Sequence, residues 1–217
     1  DCNFLFIRQD PPFDMNYITS TYLLEYLPSK TIIINNPTSI RNFSEKISAF
    51  QFKEFMPPTI VSQNIDIIKS FLNNYKDIIT KPLYGSGGEG IHRYTVNDNK
   101  FEKVFQNFLI LGEPLMAQKY IPEINEGDRR IILIDGEYVG SVVRMPMKDS
   151  IKANFHAGGI AKKTGLLRRD KEICSALSNF LKENHLFFVG IDIIGDYLTE
   201  INVTSPTGMK QINELND

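Results

Sequence analysis

The chain has 217 residues, of which 42% are hydrophobic and 23% charged, so it is long enough to bury one large core or two small ones. A net charge of -2 argues against a nucleic-acid partner, whose binding surface would show as a basic surplus. The apolar runs are too short to cross a bilayer, and Cys2 and Cys174 indicate neither a disulfide framework nor a zinc site. We expect no membrane partner, and the cytoplasm as the compartment. Because the chain begins at Asp1 and enters a strand at once, we expect an N-terminal portion to be missing.

The first part of the chain alternates between patterns typical of strands and of a helix. Residues 3 to 8 predict a buried strand, and residues 17 to 27 predict an amphipathic helix that stops at Pro28. "TIIIN" at residues 31 to 35 predicts a second strand, and "DPPFD" between the first strand and the helix predicts a turn. The order strand, helix, strand favours a parallel α/β unit.

From about Phe43 the predicted elements are of mixed type. We expect a helix that carries Lys46 and Phe50, a short strand after "MPPT", and helices at about residues 65 to 75 and 100 to 110. Strands then dominate, at "PLMAQKYI", "RRIILID", "EYVGSVVRM", "FFVGIDII" and "YLTEINV", with one helix at about residues 170 to 184. The dipeptide Asp135-Gly136 indicates a hairpin, and hence antiparallel pairing. The basic run "KKTGLLRR" at residues 162 to 169 is interpreted as a solvated helix face.

Gly85, Gly87 and Gly90 stand in the spacing G-x-G-x-x-G within "KPLYGSGGEGIHR". A dinucleotide-binding turn needs a helix after the glycines, but "IHRYTV" alternates like a strand, and the Gly-Lys-Ser/Thr of a P-loop is absent. A strand ending in Lys81, a glycine hairpin and a second strand predict instead a flap whose backbone N–H groups approach phosphate. An ordinary glycine-rich hairpin without function stays open as the alternative. With four glycines among residues 85 to 90, we expect the flap to be mobile without nucleotide.

A second group of polar residues lies in "VGIDIIGDYLTEINVTSP". Glu200 and Asn202 are two residues apart on a predicted strand, so they point to the same face. Asp192 lies between two isoleucines in a strand that looks buried, where an unpaired carboxylate is costly. If Asp192 lies opposite Glu200, the three side chains form a set of hard oxygen ligands suited to Mg²⁺. That pairing requires an odd-length connection or a bulge, and a solvated strand face stays open as the alternative.

The lysine with its glycine flap and the later Asp, Glu and Asn set together resemble the ATP-grasp superfamily, in which two α+β subdomains hold ATP between them. "RQDPPFDMNYITSTYLLE", "NNPTSIRNFSEKI", "MAQKYIPEINEGDRR" and "GIDIIGDYLTEINVTSPTG" resemble the bacterial type of glutathione synthetase. The resemblance covers nearly the whole chain. It implies an α+β ATP-grasp fold at residues 45 to 217, with a flap subdomain at about 45 to 115 and a metal and lid subdomain at about 116 to 217. It also implies a partial α/β, Rossmann-like, substrate-binding unit at residues 1 to 44. Family members carry a further N-terminal segment and a C-terminal helix, both of which we expect this chain to lack.

The resemblance implies a ligase in which ATP phosphorylates the glycine-accepting carboxylate of γ-glutamylcysteine, after which the amine of glycine displaces phosphate. It implies ATP and Mg²⁺ as cofactors, with Mn²⁺ as the alternative metal. It also implies γ-glutamylcysteine and glycine as partners, and a homo-oligomer that is a tetramer or a dimer. Two alternatives stay open: an ATP-grasp ligase that joins other substrates, and a nucleotide-binding module without turnover.

The resemblance also implies roles for individual residues. Nucleotide binding is expected of Lys46, Lys81, Gly85, Ser86, Gly87, Gly88, Gly90, Gln118, Lys119, Tyr120 and Ile121. Metal binding is expected of Asp192, Glu200 and Asn202. Residues around the transferred phosphoryl group are Arg130, Arg144, Asn154, Gly158 and Gly159, and substrate contacts are Arg8, Asp10, Ser205 and Thr207. Surface salt bridges are the alternative for the arginines, and a turn locked by two prolines is the alternative for Arg8 and Asp10.

Two expectations concern the remaining polar residues. Residues 145 to 160, which include "NFHAGG", have little core of their own, so we expect a lid that orders when the acyl phosphate binds. The three histidines, His92, His156 and His185, show no metal-binding spacing, and none is assigned to catalysis.

Overall fold

A computed structural model describes residues 2–85, 87–98, 101, 105–106, 112–147, 150, 152–155 and 158–216. The helix expected at about residues 100 to 110 lies largely outside the described residues, as do His156 and parts of the expected lid. Among the described residues, each helix falls short of the length and apolar character that a membrane span requires.

The N-terminal unit consists of strand β1 (Phe4–Phe6), helix α1 (Met15–Leu24), strand β2 (Ile32–Ile34) and helix α2 (Pro37–Asn42). The predicted parallel pairing is confirmed, because β1 pairs in parallel with β2. A small core of Ile7, Tyr17 and Ile40 holds the unit together.

The ends of these elements differ from those predicted. Helix α1 begins before residue 17, because the Asp14 carboxylate accepts hydrogen bonds from the N–H groups of Asn16 and Tyr17 and so caps the helix. The expectation that the first strand is buried is wrong: Phe4 and Phe6 are 53% and 43% exposed. The unit therefore presents apolar side chains on its surface.

Lys46 lies in a turn rather than on the expected helix. A 3₁₀ helix follows at Ser48–Phe55, and its Ala49 and Phe52 are buried. The prediction of a helix carrying both Lys46 and Phe50 is therefore wrong for the lysine. The turn leads directly into this packed 3₁₀ helix, so the helix restrains the backbone of Lys46.

The smaller sheet contains strand β3 (Thr59–Ser62), helix α3 (Ile65–Tyr75), and strands β4 (Asp77–Pro82), β5 (His92–Thr95) and β6 (Leu115–Lys119). The strands lie in the order β3-β6-β4-β5 and all pairs are antiparallel. The predicted hairpin is confirmed, because β4 pairs with β5 on either side of the glycines. Helix α3 packs on this sheet through Ile68, Phe71 and Leu72.

The larger sheet follows a 3₁₀ helix at Pro122–Glu126. It contains strands β7 (Asp128–Ile134), β8 (Glu137–Met145) and β9 (Ile160–Lys163), helix α4 (Arg168–Glu183), and strands β10 (Phe188–Ile194) and β11 (Tyr197–Asn202). The antiparallel strand order is β11-β10-β7-β8-β9.

The two faces of the larger sheet have different environments. Helix α4 covers one face, and the buried side chains there include Ile131, Ile173, Leu177, Ile191, Ile193, Leu198 and Ile201. Residues with the alternate parity on β7 and β10 lie on the other face, and they include Arg130, Ile132, Phe188 and Asp192. The strand period of two therefore places Arg130 and Asp192 on the face opposite the core under α4.

One expectation for the C-terminal half is wrong. The run at residues 162 to 169 is not a helix face, because Lys162 and Lys163 end β9 while Arg168 begins α4. The structure also has a helix α5 (Met209–Asn216), where the sequence analysis predicted no element. Its Ile212 is buried against the larger sheet, where a Cβ on Gly140 would come within 2.6 Å of the Ile212 side chain.

The pairing of Asp192 with Glu200 is confirmed. The connection between β10 and β11 contains only Gly195 and Asp196, and a bulge after Asp192 leaves Thr199 without a partner in the ladder. The extra residue brings Glu200 opposite Asp192, on the face that lies away from α4.

Candidate active site

A cavity of about 860 Å³ is lined by residues of the smaller sheet, the larger sheet, the flap and the N-terminal unit. This volume lies within the range of small-molecule sites, which is roughly 300 to 1,000 Å³. The predicted nucleotide-binding residues that line it are Lys46, Lys81, Gly85, Gly87, Gly88, Gln118, Lys119, Tyr120 and Ile121. Ser86 lies outside the described residues. The cavity therefore brings together residues that are far apart in the sequence.

Asp192 forms a buried ion-pair cluster with two arginines. Arg130 donates to both carboxylate oxygens, from Nε at 2.5 Å and from Nη2 at 2.9 Å, and Nη2 of Arg144 lies 2.9 Å from Oδ2. Although burial alone would raise the pKa of Asp192, Arg130 and Arg144 hold that pKa well below its usual range. Asp192 is therefore an anion in the folded protein, compensated as its position between isoleucines requires.

Asp128 is a residue of the site that the sequence analysis missed. It lies opposite Arg144 in the ladder, accepts a hydrogen bond from the Arg144 guanidinium, and lines the cavity. Burial raises the pKa of Asp128 to about 6, while Arg144 opposes the shift. A sequence signal was available, because Asp128 is two residues before Arg130 on the same strand and so shares its face.

Glu200 lies between two lysines. The Nζ atoms of Lys46 and Lys81 are each 3.9 Å from Glu200 Oε1, and Lys46 also donates to the carbonyl of Gly85 at 2.7 Å. Burial lowers the pKa of Lys81, and the carboxylate of Glu200 opposes that shift. The lysine ammonium groups are thus held beside the flap.

The flap glycines have backbone conformations that other residues rarely adopt. Their φ values are 62° at Gly87, 78° at Gly88 and 68° at Gly90. A Cβ on Gly88 would come within 2.6 Å of Asn154 Nδ2, so the flap and the segment expected to form the lid lie in close approach. Asn154 lines the cavity, whereas Gly90, Gly158 and Gly159 are not among its lining residues.

One part of the cavity is apolar. Tyr120, Ile124 and Ala153 form a buried cluster with Ile79 and Ile194 beside it, and all five line the cavity. Such a surface suits the faces of an aromatic ring.

The segment between the two sheets lies next to this apolar part. The N–H groups of Lys119 and Tyr120 already donate to the carbonyls of Pro58 and Asp77, at 2.9 and 3.1 Å. Contacts to a ligand edge from this segment must therefore come from its other polar groups.

The residues expected to contact substrate divide into two groups. Asp10, Ser205 and Thr207 line the cavity, and the Thr207 carbonyl accepts a hydrogen bond from Arg130 at 3.1 Å. Arg8 does not line it: its guanidinium lies over the ring of Phe188 and donates to the Pro206 carbonyl at 3.0 Å. Arg8 thus supports the loop that carries Ser205 and Thr207.

The residues expected to bind metal fit a magnesium site in their chemistry. Asp192 and Glu200 lie opposite each other, Asn202 donates to Asp192 Oδ2 at 3.4 Å, and all three line the cavity. Carboxylate and amide oxygens are the donors that Mg²⁺ prefers. Among the described residues no group of three or more His, Cys, Asp or Glu side chains could hold a metal ion, so the amide oxygen of Asn202 would have to complete this set.

Two family models match the chain. The ATP-grasp domain of prokaryotic glutathione synthetase matches residues 45–217, and the N-terminal domain of the same family matches residues 1–41. The glutathione synthetase of Agrobacterium fabrum is 46% identical over 210 residues, which cover 96% of this chain and 66% of that protein. That of Rhodopseudomonas palustris is 46% identical over 210 residues, which cover 96% of this chain and 67% of that protein.

Solved structures show the same fold at low identity. D-cycloserine synthetase DcsG has a TM-score of 0.76 and 15% identity, over 97% of this chain and 78% of that one. The ATP-grasp ligase PsnB, complexed with a phosphomimetic variant of its minimal precursor, Mg and ADP, has a TM-score of 0.63 and 15% identity, over 92% of this chain and 62% of that one.

The curated relatives are longer than this chain, which spans 66 to 67% of the length of the two described above. Within that span the predicted ATP-grasp fold is confirmed by the family model and by the solved structures. The chain therefore belongs to the prokaryotic glutathione synthetase family of ATP-grasp ligases.

Proposed function

We propose that this chain carries out the ATP-dependent joining of glycine to the carboxylate of γ-glutamylcysteine through an acyl phosphate, giving glutathione, ADP and phosphate. The observation that carries the proposal is the cavity in which Lys46, Lys81, Arg130 and Arg144 surround Asp192 and Glu200 beside a glycine flap. The names of the relatives support glutathione synthesis over both a ligase of other substrates and a module without turnover.

The shape of the cavity suggests how ATP would lie. The adenine ring would occupy the apolar part, between Ile79 and Ile194, beside the segment of residues 118 to 121. The phosphates would extend toward Lys46 and Lys81, with the backbone of Gly87 and Gly88 above them. Lysines supply point charges to phosphate, so this orientation places opposite charges together.

The Asp192, Glu200 and Asn202 set would hold Mg²⁺, with Mn²⁺ as an alternative. The solved ligase PsnB, a protein of the same fold, is complexed with Mg and ADP. The bound ion would supply positive charge to phosphate oxygens. Arg130 and Arg144 keep Asp192 ionised and in place through the ion pairs described above, so the carboxylate stays available as a ligand.

Arg130, Arg144 and Asn154 would surround the γ-phosphoryl group and the carboxylate that receives it. An arginine fork fits the oxygens of either group, so these residues would orient the two reactants. Gly158 and Gly159 would contribute backbone N–H groups when the lid orders. Asp10, Ser205 and Thr207 would contact the peptide substrate, with Arg8 supporting their loop.

We also propose a division of the chain into a substrate-binding unit at residues 1 to 44 and an ATP-grasp domain at residues 45 to 217, with its subdomains meeting near residue 115. The separate matches of the two family models support this division. A thiol substrate that must stay reduced supports a cytoplasmic location. A homo-oligomer, a dimer or a tetramer, is supported by the exposed apolar side chains of Phe4, Leu23 and Ile32, which such an assembly would cover.

The test is to measure ADP release and peptide product with ATP, Mg²⁺, γ-glutamylcysteine and glycine, and then with each component omitted in turn. We expect glutathione, and ADP release in steady state, only when all four are present. Steady turnover with a different amine acceptor and none with glycine would indicate another ligase. Nucleotide binding without ADP release under any condition would indicate a module without turnover.

A further inference from the structure

Glu45 is a half-buried carboxylate of the cavity to which the sequence analysis gave no role. Its Oε1 accepts a hydrogen bond from Thr204 Oγ1 at 2.7 Å, and its backbone carbonyl accepts one from the N–H of Ile201. These contacts hold the residue against β11 and the loop that follows it. The carboxylate is therefore held at the polar part of the cavity.

Glu45 differs from the other carboxylates of the site in its direct contacts. Asp128 and Asp192 pair with arginines, and Glu200 lies 3.9 Å from two lysines. Among the described residues, Glu45 has no ion-pair partner. Burial raises its pKa and the charge of Glu200 adds to the shift, while the hydrogen bond from Thr204 and the charges of Lys46 and Arg130 oppose it. A cation in direct contact with this carboxylate would stabilise its ionised form.

A second cavity, of about 60 Å³, adjoins the large one at Glu45. Both cavities are lined by Pro11, Glu45, Lys46, Gly85 and Thr204. Its volume exceeds the ~10–15 Å³ that one water molecule requires, so it admits a small polar group. It is far smaller than the adjoining cavity of about 860 Å³.

Tyr17 also lines the small cavity. The residue is only 1% exposed, and its hydroxyl has no hydrogen-bond partner among the described residues. A buried hydroxyl without a partner is costly, so a polar ligand in this cavity would satisfy it. The small cavity thus combines an anion with an unused hydrogen-bonding group.

We propose that Glu45, assisted by the Tyr17 hydroxyl, binds the ammonium group of the incoming amino acid, glycine, beside the carboxylate that becomes the acyl phosphate. This rests on the proposed function. The other substrates bring anionic phosphates and a peptide carboxylate toward the lysines and arginines, whereas the amine acceptor alone must bring its ammonium group to the point of reaction. Glu45 then sets which end of glycine faces the acyl phosphate. The ammonium group gives one proton to solvent before its nitrogen attacks. The C–N bond forms as the C–O bond to phosphate breaks, phosphate leaves, and the nitrogen loses its second proton.

The test uses Glu45→Gln, which keeps the shape and the acceptor for Thr204 but removes the charge. We expect the KM for glycine to rise about 10- to 100-fold, as for the loss of a charge-assisted hydrogen bond. The KM values for ATP and γ-glutamylcysteine should stay within about 2-fold of the parental ones. Tyr17→Phe should raise the KM for glycine by about 2- to 10-fold, since one hydrogen bond to an uncharged acceptor is lost while the carboxylate of Glu45 remains.

Hydroxylamine separates a binding role from general damage to the site. Its neutral nitrogen can attack the acyl phosphate, forming a C–N bond as the C–O bond to phosphate breaks, and it needs no anion to bind it. We expect Glu45→Gln to form the hydroxamate at the parental rate. As a control, Glu54→Gln makes the same change on an exposed residue and should alter neither reaction.

The outcomes distinguish two failures. If the parental chain makes no glutathione, the proposed function is wrong. If it does, and Glu45→Gln keeps the parental KM for glycine or loses hydroxamate formation to the same extent as glutathione formation, the role of Glu45 is wrong while the proposed function stands.

Discussion

The side-chain nitrogen of Lys81 lies 3.9 Å from Glu200 Oε1, so a residue of the smaller sheet meets one of the larger sheet across the cavity. Lys46 lies at the same distance from the same oxygen. One carboxylate thus balances two ammonium groups while also standing opposite Asp192. A change at Glu200 should therefore affect metal and phosphate binding together.

Replacement of Glu200 by Gln should lower Mg²⁺-dependent turnover by at least about 100-fold. Mutation of residues that only support a metal ligand lowers affinity or activity by about 10- to 100-fold, and loss of a direct ligand should cost at least as much. The fold should be retained, since the shape is unchanged. The measurement is kcat and KM for Mg²⁺ at saturating ATP, together with a thermal unfolding curve. Glu54→Gln is the matched control. Turnover at the parental rate would contradict the role of Glu200 as a metal ligand.

Gly88→Ala should weaken ATP binding by about 10-fold. The φ of 78° and the approach of Asn154 Nδ2 to within 2.6 Å of the added Cβ both oppose the substitution. Gly112→Ala is the matched control, because its φ of 68° is similar while no atom lies within 4 Å of the added Cβ. Titration calorimetry with ATP would measure both variants. An equal loss of affinity in the two would show that backbone strain, not flap contact, is responsible.

The sequence predicted the parts of the site that depend on neighbouring residues, and it missed those that depend on contacts between distant residues. The alternation of Glu200 and Asn202 and the lone charge of Asp192 are local patterns, and they predicted the shared face. The bulge that pairs Asp192 with Glu200 was left as one of two possibilities, because strand register depends on packing against α4. Glu45 was missed because Thr204, which donates a hydrogen bond to it, and Tyr17, which lines the same small cavity, are distant in the sequence. The wrong helix at Lys46 reflects the same limit, since the 3₁₀ helix follows from burial of Ala49 and Phe52.

Asp170→Ala should lower the free energy of unfolding by about 3 to 5 kcal/mol, as when one partner of a buried ion pair is removed. Asp170 is fully buried and accepts hydrogen bonds from Arg129 Nε and Nη2 and from the N–H of Leu167, so the change leaves a buried guanidinium and an uncapped α4. Urea unfolding would measure the loss.

The double change Arg129→Met with Asp170→Leu tests the cause. If the loss comes from the stranded charge, the double variant should recover most of the stability. A double variant as unstable as Asp170→Ala would indicate that packing or the helix cap dominates. The Arg129 contact with the Gly195 carbonyl would also be lost, so the turnover of a stable double variant reports whether that contact positions Asp192.

The stability of the protein should fall at alkaline pH partly through Cys174. Burial raises the pKa of this thiol to about 12, from an ordinary value near 9. Because the folded-state pKa is the higher one, the contribution is full below pH 9 and is lost as the pH rises toward 12, with a slope of about 1.4 kcal/mol per pH unit. Urea unfolding between pH 8 and 10.5 would measure the slope. The parental chain should show a steeper fall than Cys174→Ala, and parallel curves would contradict the assignment.

The β10–β11 hairpin can change in length at the Thr199 bulge, and only there, without turning its side chains to the opposite face. Removing Thr199 would give a regular hairpin in which Asp192 still faces Glu200 and Ile193 still faces Leu198. Removing Ile201 would instead turn the side chain of Asn202 toward the core and that of Val203 toward the cavity. Homologous chains are therefore expected to differ in length at the bulge, while the run from Glu200 to Asn202 keeps its length.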